Sequence, residues 1–122
     1  MTEKESGANI IYNVEPFMAG EFTKLTDNFD YAKKSGDGTD LVMAFCHFTY
    51  KASGGKLLVV DIQGWVPGDN RSCMFLTDPQ IHSPVYKCFG TGNFGFRGFE
   101  EFWSKMHPDC NTICKKLGLE RP

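Results

Sequence analysis

Apolar residues recur at helical spacing in the middle of the chain and again near its C-terminus. In residues 41–50 they stand at positions 41, 42, 44, 45 and 48, a spacing that predicts a helix with one apolar face. Residues 96–106 and 111–117 predict two further short helices, and Gly118 is placed to end the second. The run KLLVVDIQ at residues 56–63 is apolar and rich in Val and Ile, so it predicts the strongest strand of the chain.

Polar and glycine-rich segments separate these elements. Residues 1–9 predict a flexible leader. Residues 10–25 start as a strand, break near Glu15 and Gly20, and resume as a short strand or the start of a helix. The predicted loops are residues 26–39, which we expect to be mobile, 65–75 and 90–95.

Composition excludes several classes of protein. The 122 residues suffice for one modest domain with a single core. The net charge of -2 gives no electrostatic reason to expect nucleic acid or an anionic membrane as a partner. No apolar run approaches the roughly 20 residues that span a bilayer, and residues 1–7 lack the apolar centre of a signal peptide. The sequence therefore predicts a cytoplasmic protein.

Histidines and cysteines form a candidate metal site. The five cysteines are an odd number, which argues against a complete disulfide framework. Three are interpreted as free thiols: Cys46, Cys73 and Cys88. Cys110 and Cys114 lie one helical turn apart, His107 lies just upstream, and folding would have to bring His47 to them. Two imidazoles and two thiolates suit a structural Zn²⁺; the alternative is two core cysteines and two unrelated histidines.

Polar side chains follow the predicted strand. Asp61 and Gln63 stand at its end, and Asp78 lies in the later segment LTDP. Such groups could hold Mg²⁺ against phosphates, because magnesium takes hard oxygen ligands from one or two carboxylates. The alternative interpretation is an aspartate that caps a turn and an Asp-Pro turn.

A glycine-rich segment precedes the second helix. GTGNFG at residues 90–95 fits G-x-G-x-x-G, but it does not follow the strong strand directly and no acidic residue suited to a ribose lies about 20 residues further on. The chain is also too short for the usual Rossmann sheet. A tight loop before a helix explains the segment equally well.

Five of these segments, taken in order, resemble one known family. They are AFCHFTY (44–50), SGGKLLVVDIQG (53–64), LTDPQIH (76–82), FGTGNFG (89–95) and CNTICKKLGL (110–119). Together they strongly resemble the C-terminal lobe of the alpha-kinases, atypical protein kinases that include the myosin heavy-chain kinases, the elongation-factor kinase and the channel-kinases. VEPFMAGEFTK (14–24) resembles the hinge that enters that lobe. The resemblance implies an α+β fold over residues 10–119 with a structural zinc site.

The resemblance also implies a role for individual residues. Glu15 matches a hinge acid whose backbone neighbourhood holds adenine, and Lys24 matches a lysine on the phosphate side of the cleft. Asp61 and Gln63 match active-site groups, with Gln63 as a magnesium ligand, and Asp78 matches the carboxylate at the reaction centre.

The remaining matches concern substrate and zinc. The glycines that match a substrate-binding loop are Gly90, Gly92 and Gly95. The residues that match zinc ligands are His47, His107, Cys110 and Cys114. Two residues, Pro108 and Asp109, separate His107 from Cys110, where the family normally has one. His82 matches no ligand position, and we expect it to be partly buried or on the surface.

The implied function is transfer of the γ-phosphoryl group of ATP, with Mg²⁺, to Ser or Thr of a protein substrate. About ten residues precede the hinge, so we expect the N-terminal lobe and its phosphate-contacting lysine to come from elsewhere, such as a separate lobe or a partner chain. The main alternative is a non-catalytic, zinc-stabilised module from a truncated kinase that binds a protein through its glycine loop and interlobe face. A third interpretation is a zinc-stabilised domain unrelated to kinases.

Overall fold

The structure is a computed structural model that describes residues 2–5, 8–28, 32, 38–65 and 74–122. Its strands are β1 (Thr2–Glu5), β2 (Ala8–Ile11), β3 (Phe22–Lys24), β4 (Leu58–Val60), β5 (Gln63–Trp65), β6 (Phe75–Thr77) and β7 (Gln80–His82). Its helices are α1 (Thr39–Ala52), α2 (Phe96–Glu101) and α3 (Thr112–Lys116), and α2 continues into a π-helical turn (Phe102–Met106). Most of the two long predicted loops, and Cys73 with them, lies outside the described residues.

The strands form small antiparallel sheets. The orders are β1-β2, β3-β5-β6 and β4-β7. The first of these differs from the sequence expectation, because residues 1–9 were predicted to be a flexible leader and Thr2–Glu5 instead pairs with Ala8–Ile11. Backbone hydrogen bonds between antiparallel strands need no apolar side chains, so a polar composition did not reveal this pairing.

Helix α1 confirms the helix predicted over residues 41–50 and supplies one wall of the core. Its buried side chains include Val42, Met43 and Cys46, which pack against β4 and α2 with its π-helical turn. The buried apolar residues of this core are Leu25, Val42, Met43, Cys46, Leu58, Val60, Ile62, Phe99, Phe102, Trp103 and Met106. Of the helices that the described residues form, none is long and apolar enough to cross a membrane.

The strand predicted over residues 56–63 is wrong as a single element. It divides into β4 and β5 because Asp61 has a φ of 59°, a left-handed conformation that no strand residue adopts. The two parts then join different sheets, since β4 pairs with β7 whereas β5 lies between β3 and β6.

The two C-terminal helices are confirmed, with local differences. The predicted helix over residues 96–106 is α2 plus the π-helical turn, after which the His107 N–H donates to the Phe102 carbonyl over 2.8 Å. The Asn111 side chain caps α3 by accepting from the Cys114 N–H at 3.0 Å. Gly118 follows α3 with a φ of 67°, which fits its predicted role at the helix end.

Helices α1 and α3 run in the same direction along the surface. At their first turns Asn111 Nδ2 donates to the Asp40 carbonyl at 2.8 Å. Near their last turns Lys51 Nζ donates to the Gly118 carbonyl at 2.7 Å. This pairing brings the start of α3 alongside the buried face of α1.

Candidate active site and metal site

Four metal-ligating side chains converge where α1, the π-helical turn and α3 meet. One ligand atom from each of His47, His107, Cys110 and Cys114 lies within 4.8 Å of every other. His47 Nδ1 lies 3.3 Å from His107 Nε2 and 3.7 Å from Cys110 Sγ, and Cys114 Sγ lies 3.5 Å from His107 Nε2. The sequence could not show that His47 reaches the others, because about 60 residues separate them in the chain.

The three distances between these ligand atoms are close to those expected around a tetrahedrally coordinated zinc ion. With Zn–N near 2.0–2.1 Å and Zn–S near 2.3 Å, a tetrahedron has an N···N edge of about 3.3 Å and N···S edges of about 3.6 Å. His47 Nε2 lies 3.0 Å from the Glu120 carbonyl oxygen, so it carries the proton and Nδ1 turns its lone pair toward the other ligands. Three of the six separations in the group are therefore close to those of a tetrahedral zinc site.

Burial sets the protonation of this group. His107 is 3% exposed, and burial, assisted by the charges of His47 and Arg121, lowers the pKa of His107 to about 4. A neutral imidazole at pH 7 is the form that binds a metal. Burial also raises the pKa of the Cys114 thiol, and a bound cation would favour the thiolate instead.

Two further cysteines that the structure describes, Cys46 and Cys88, lie outside this group. Cys46 and Cys88 are free thiols as predicted. Burial raises the pKa of Cys46 to about 12, so it behaves as a small apolar core residue. Cys88 is exposed.

A second set of candidate functional side chains lies along the β3-β5-β6 sheet. The strand register places Lys24 opposite Gln63 and Gln63 opposite Thr77, which makes one row across the sheet. At one end of the row Lys24 Nζ lies 2.8 Å from a carboxylate oxygen of Asp61. At the other end the Thr77 hydroxyl lies 2.9 and 3.1 Å from the two carboxylate oxygens of Glu15.

The two candidate catalytic aspartates stand at facing breaks between strands. Asp61 begins the two-residue link from β4 to β5, and Asp78 begins the link from β6 to β7. The pairs Val60↔Gln80 and Gln63↔Thr77 flank these links, so the links lie opposite one another. Both aspartates are left-handed, with φ of 59° and 48°.

The left-handed conformation of the two aspartates is a structural feature that no sequence pattern indicates. A left-handed non-glycine residue costs on the order of 1–3 kcal/mol, and such residues cluster at functional sites. Aspartate tolerates it better than most residues, yet nothing in the run VVDIQ separates Asp61 from an ordinary strand residue. Among the described residues, neither aspartate belongs to a group of three or more His, Cys, Asp or Glu side chains that could hold a metal alone.

The glycine-rich segment is a loop that leads into α2. Its centre is Asn93, which is fully buried and whose Oδ1 accepts from the Ser83 N–H at 3.0 Å and the Gly95 N–H at 2.9 Å. Asn93 Nδ2 donates to Ser83 Oγ at 2.8 Å and to the Val85 carbonyl at 3.1 Å. Of the three candidate glycines, Gly90 is exposed, Gly92 half-buried and Gly95 buried.

His82 departs from the expectation that it is partly buried or on the surface. It has no exposed side-chain area, because α2 crosses directly over its ring at Gly98. Its Nδ1 accepts from the Phe94 N–H at 3.0 Å, and its Nε2 lies 2.6 Å from the Asn28 carbonyl oxygen. No sequence pattern connects His82, Asn28 and the glycine loop.

The α+β fold is that of an alpha-kinase domain. Comparison with known proteins places the chain accordingly: it belongs to the Alpha-kinase family, whose sequence model matches residues 1–114. The resemblance drawn from the ordered motifs is therefore confirmed.

Relatives of this chain are much longer proteins. Human alpha-protein kinase 1 is 46% identical over 110 residues, which are 90% of this chain and 9% of that protein. Myosin heavy chain kinase B of Dictyostelium discoideum is 37% identical over 115 residues, or 94% and 14% of the two chains. Human eukaryotic elongation factor 2 kinase is 38% identical over 117 residues, or 95% and 15%.

Solved structures agree with the fold. The apoenzyme alpha-kinase domain of myosin-II heavy chain kinase A superposes with a TM-score of 0.78 at 38% identity, over 96% of this chain and 42% of that one. The same domain in complex with AMPPCP gives a TM-score of 0.76 at 38% identity, over 95% and 41%. This chain thus spans less than half of the solved kinase domain.

Proposed function

We propose that this chain is the C-terminal lobe of an ATP-dependent serine/threonine protein kinase of the alpha-kinase type. The observation that carries the proposal is the pair of left-handed aspartates, Asp61 and Asp78, at facing breaks of adjoining strands. The ammonium group of Lys24 contacts the carboxylate of Asp61. Family membership and a solved relative in complex with AMPPCP support a site for ATP at this edge.

Each residue at this edge has a role that fits its surroundings. Asp78 is exposed and is the carboxylate we assign to the reaction centre. Lys24 supplies a positive charge near the phosphates of ATP. The backbone around Glu15 is our candidate binding site for the adenine ring. Asp61 and Gln63 offer the carboxylate and amide oxygens that Mg²⁺ accepts. Magnesium, when bound, neutralises phosphate charge in such enzymes.

We assign the His/Cys group to a structural zinc ion. All four ligand positions come from the protein: His47, His107, Cys110 and Cys114. Catalytic zinc keeps a position open for water or substrate, whereas structural zinc does not. The ion would join α1, the π-helical turn and α3, so its role is to stabilise the fold and not to take part in the reaction.

A complete kinase site also needs a nucleotide-clamping lobe and a surface that binds the protein substrate. The chain spans 42% of a solved alpha-kinase domain, so we expect a nucleotide-clamping lobe to be supplied by additional chain or by a separate lobe. A protein substrate would approach the loop that contains Gly90, Gly92 and Gly95. We place the protein in the cytoplasm, because free thiols such as Cys46 and Cys88 suit a reducing compartment.

The decisive experiment joins this chain, covalently or in trans, to an alpha-kinase N-terminal lobe. Radiolabelled ATP should then transfer its γ-phosphate to Ser or Thr of a protein, and the transfer should require Mg²⁺. If the assembled protein folds, holds zinc and binds ATP but transfers no phosphate, the kinase proposal fails.

An apolar surface favours a second candidate, a protein-binding module. A cavity of about 280 Å³ opens between α1 and α3. The residues that line it are Leu41, Ala44, Phe45, Phe48, Ile113 and Leu117. On the segment before β3, Val14 and Phe17 are 76% and 94% exposed. Apolar surface of this kind marks interaction sites, and an assembled but inactive protein would favour this function.

A further inference from the structure

His82 uses both ring nitrogens to connect two parts of the chain. The backbone N–H of Phe94 can only donate, so Nδ1 is the acceptor in their 3.0 Å hydrogen bond. The proton therefore lies on Nε2, which donates to the Asn28 carbonyl at 2.6 Å. The imidazole has no exposed area, so water cannot replace either bond.

Asn28 holds the same loop at a second point. Its Nδ2 donates to the Gly92 carbonyl at 3.1 Å, two residues before the Phe94 amide that His82 accepts. Gly92 itself sits against Gln80, since a Cβ at Gly92 would meet the carboxamide of that side chain. The glycine loop is thus held by Asn28 at Gly92 and by His82 at Phe94. The Asn93 side chain adds hydrogen bonds to Ser83 and Val85 outside the loop and to Gly95 within it.

The same contacts connect the loop to the reaction centre. His82 ends β7 and Gln80 begins it, and Asp78 stands two residues before Gln80. Four residues of extended chain reach at most about 14 Å. One short strand therefore sets the spacing between the Asp78 carboxylate and the loop.

We propose that His82 is a positioning residue for the protein substrate. With Asn28 it holds the loop of residues 90–95 at a fixed distance from Asp78, so that the hydroxyl of a bound Ser or Thr is presented at the reaction centre. This rests on the proposed function, in which that loop binds substrate. The role differs from simple core packing, because it depends on one acceptor atom, Nδ1, and not on the volume of the ring.

Two substitutions separate these roles. Asparagine places an oxygen close to the position of Nδ1, so His82→Asn keeps an acceptor for the Phe94 N–H and loses the donor to Asn28. Glutamine places its amide nitrogen close to Nε2, so His82→Gln keeps the donor and loses the acceptor. Asn28→Asp, a third variant, keeps the backbone carbonyl for His82 and removes the donor to Gly92.

The kinetic test uses the kinase assembled with an N-terminal lobe and a fixed serine/threonine peptide that the wild-type assembly phosphorylates. We expect His82→Gln and Asn28→Asp each to raise the KM for peptide about 3- to 10-fold, the usual effect of one lost hydrogen bond. The KM for Mg-ATP should stay within about twofold in both, and His82→Asn should raise the peptide KM less than His82→Gln. Equal peptide KM values for wild type and His82→Gln would overturn the proposal, as would equal effects on both substrates.

A second readout needs no catalysis. In the chain itself, NMR hydrogen exchange should be faster at the Phe94 amide in His82→Gln than in His82→Asn, while the Cys46 amide in α1 is protected equally in both. Unchanged exchange at Phe94 would show that His82 does not hold the loop. An inactive wild-type assembly would end the proposed function and the substrate role together, whereas an active one with an unaltered peptide KM would end only the role of His82.

Discussion

The ammonium group of Lys24 lies 2.8 Å from a carboxylate oxygen of Asp61, across 37 residues of sequence. The Lys24 side chain is 45% exposed, so the pair contributes little to stability and at most about 1 kcal/mol. We expect Lys24→Ala to raise the KM for Mg-ATP in the assembled kinase and to leave the thermal midpoint nearly unchanged. Lys56→Ala, at an exposed lysine before β4, should change neither. A large fall in midpoint without a change in KM would assign Lys24 to the fold instead.

Asp78 should matter more to turnover than to folding. It is exposed, so its removal costs no packing, and the expected loss of stability is the small one from placing alanine in a left-handed conformation. We expect Asp78→Ala to lower kcat of the assembled kinase by about 100-fold or more, as when an electrostatic contact to the transition state is lost. Glu100→Ala, at an exposed carboxylate on α2, is the matched control and should stay within about twofold. Steady-state kinetics of the two variants, side by side, decide whether Asp78 belongs to the reaction centre.

Zinc should be bound by the purified chain and should support its fold. We expect elemental analysis to find one zinc per chain, and a chelator to lower the thermal midpoint, because structural zinc couples its binding free energy to folding. Cys114→Ser should behave like chelation. Cys88→Ser removes an exposed thiol outside the group and should have no effect. A chain free of zinc, with an unchanged midpoint under chelation, would contradict the assignment.

Gly98 should not tolerate a methyl group, although alanine is the better helix former. A Cβ at Gly98 would place three atoms of the His82 ring within 2.6 Å. Overpacking of this kind costs about 1–3 kcal/mol. The His82 ring is buried and hydrogen-bonded at both nitrogens, so it cannot move aside, and we expect the cost to exceed the gain of about 1 kcal/mol from helix propensity. Gly98→Ala should therefore destabilise the chain in urea unfolding. In the background of His82→Asn, whose side chain is smaller, the same change should cost less, and strict additivity would argue against the contact.

Acid should weaken the fold through His82. Burial lowers the pKa of this imidazole, so the unfolded chain, with a pKa near 6.5, binds the proton more readily than the folded chain. The contribution of His82 is thus complete above about pH 6.5 and is lost as the pH falls below it. We expect the free energy of unfolding to fall more between pH 7.5 and 5.5 in wild type than in His82→Asn. The candidate metal ligands are the same in both proteins, so the difference between their pH profiles isolates His82. Parallel pH profiles would contradict this prediction.

The helices and the members of the His/Cys group could be predicted from the sequence. Periodic apolar residues located α1, and the spacing of Cys110 and Cys114 correctly indicated that their sulfurs lie close together. The shared helical turn was wrong, because Cys110 precedes the N-cap Asn111 and only Cys114 lies on α3. The family came from ordered motifs and not from periodicity. What brought His47 to the cysteines was the packing of α1 against α3, a tertiary contact that no local pattern carries.

The features that the sequence did not predict have one physical cause in common. The break at Asp61 and the pairing of β1 with β2 depend on which strand lies alongside, and backbone pairing leaves little trace in side-chain chemistry. His82 is similar, because its burial comes from α2 crossing at Gly98, sixteen positions later in the chain. Glycine in the middle of a predicted helix was the available signal for such a close approach.

The π-helical turn Phe102–Met106 leads directly to His107. A π turn holds about one residue more than an α turn, so the His107 N–H reaches the Phe102 carbonyl five positions back instead of four. Deletion of the exposed Ser104 or Lys105 would convert the turn to an ordinary α turn, in which the same N–H still meets the same carbonyl and His107 keeps its place beside His47. This stretch can therefore lose one codon without loss of the candidate metal group, whereas a deletion elsewhere in the helix would rotate His107 by about 100°.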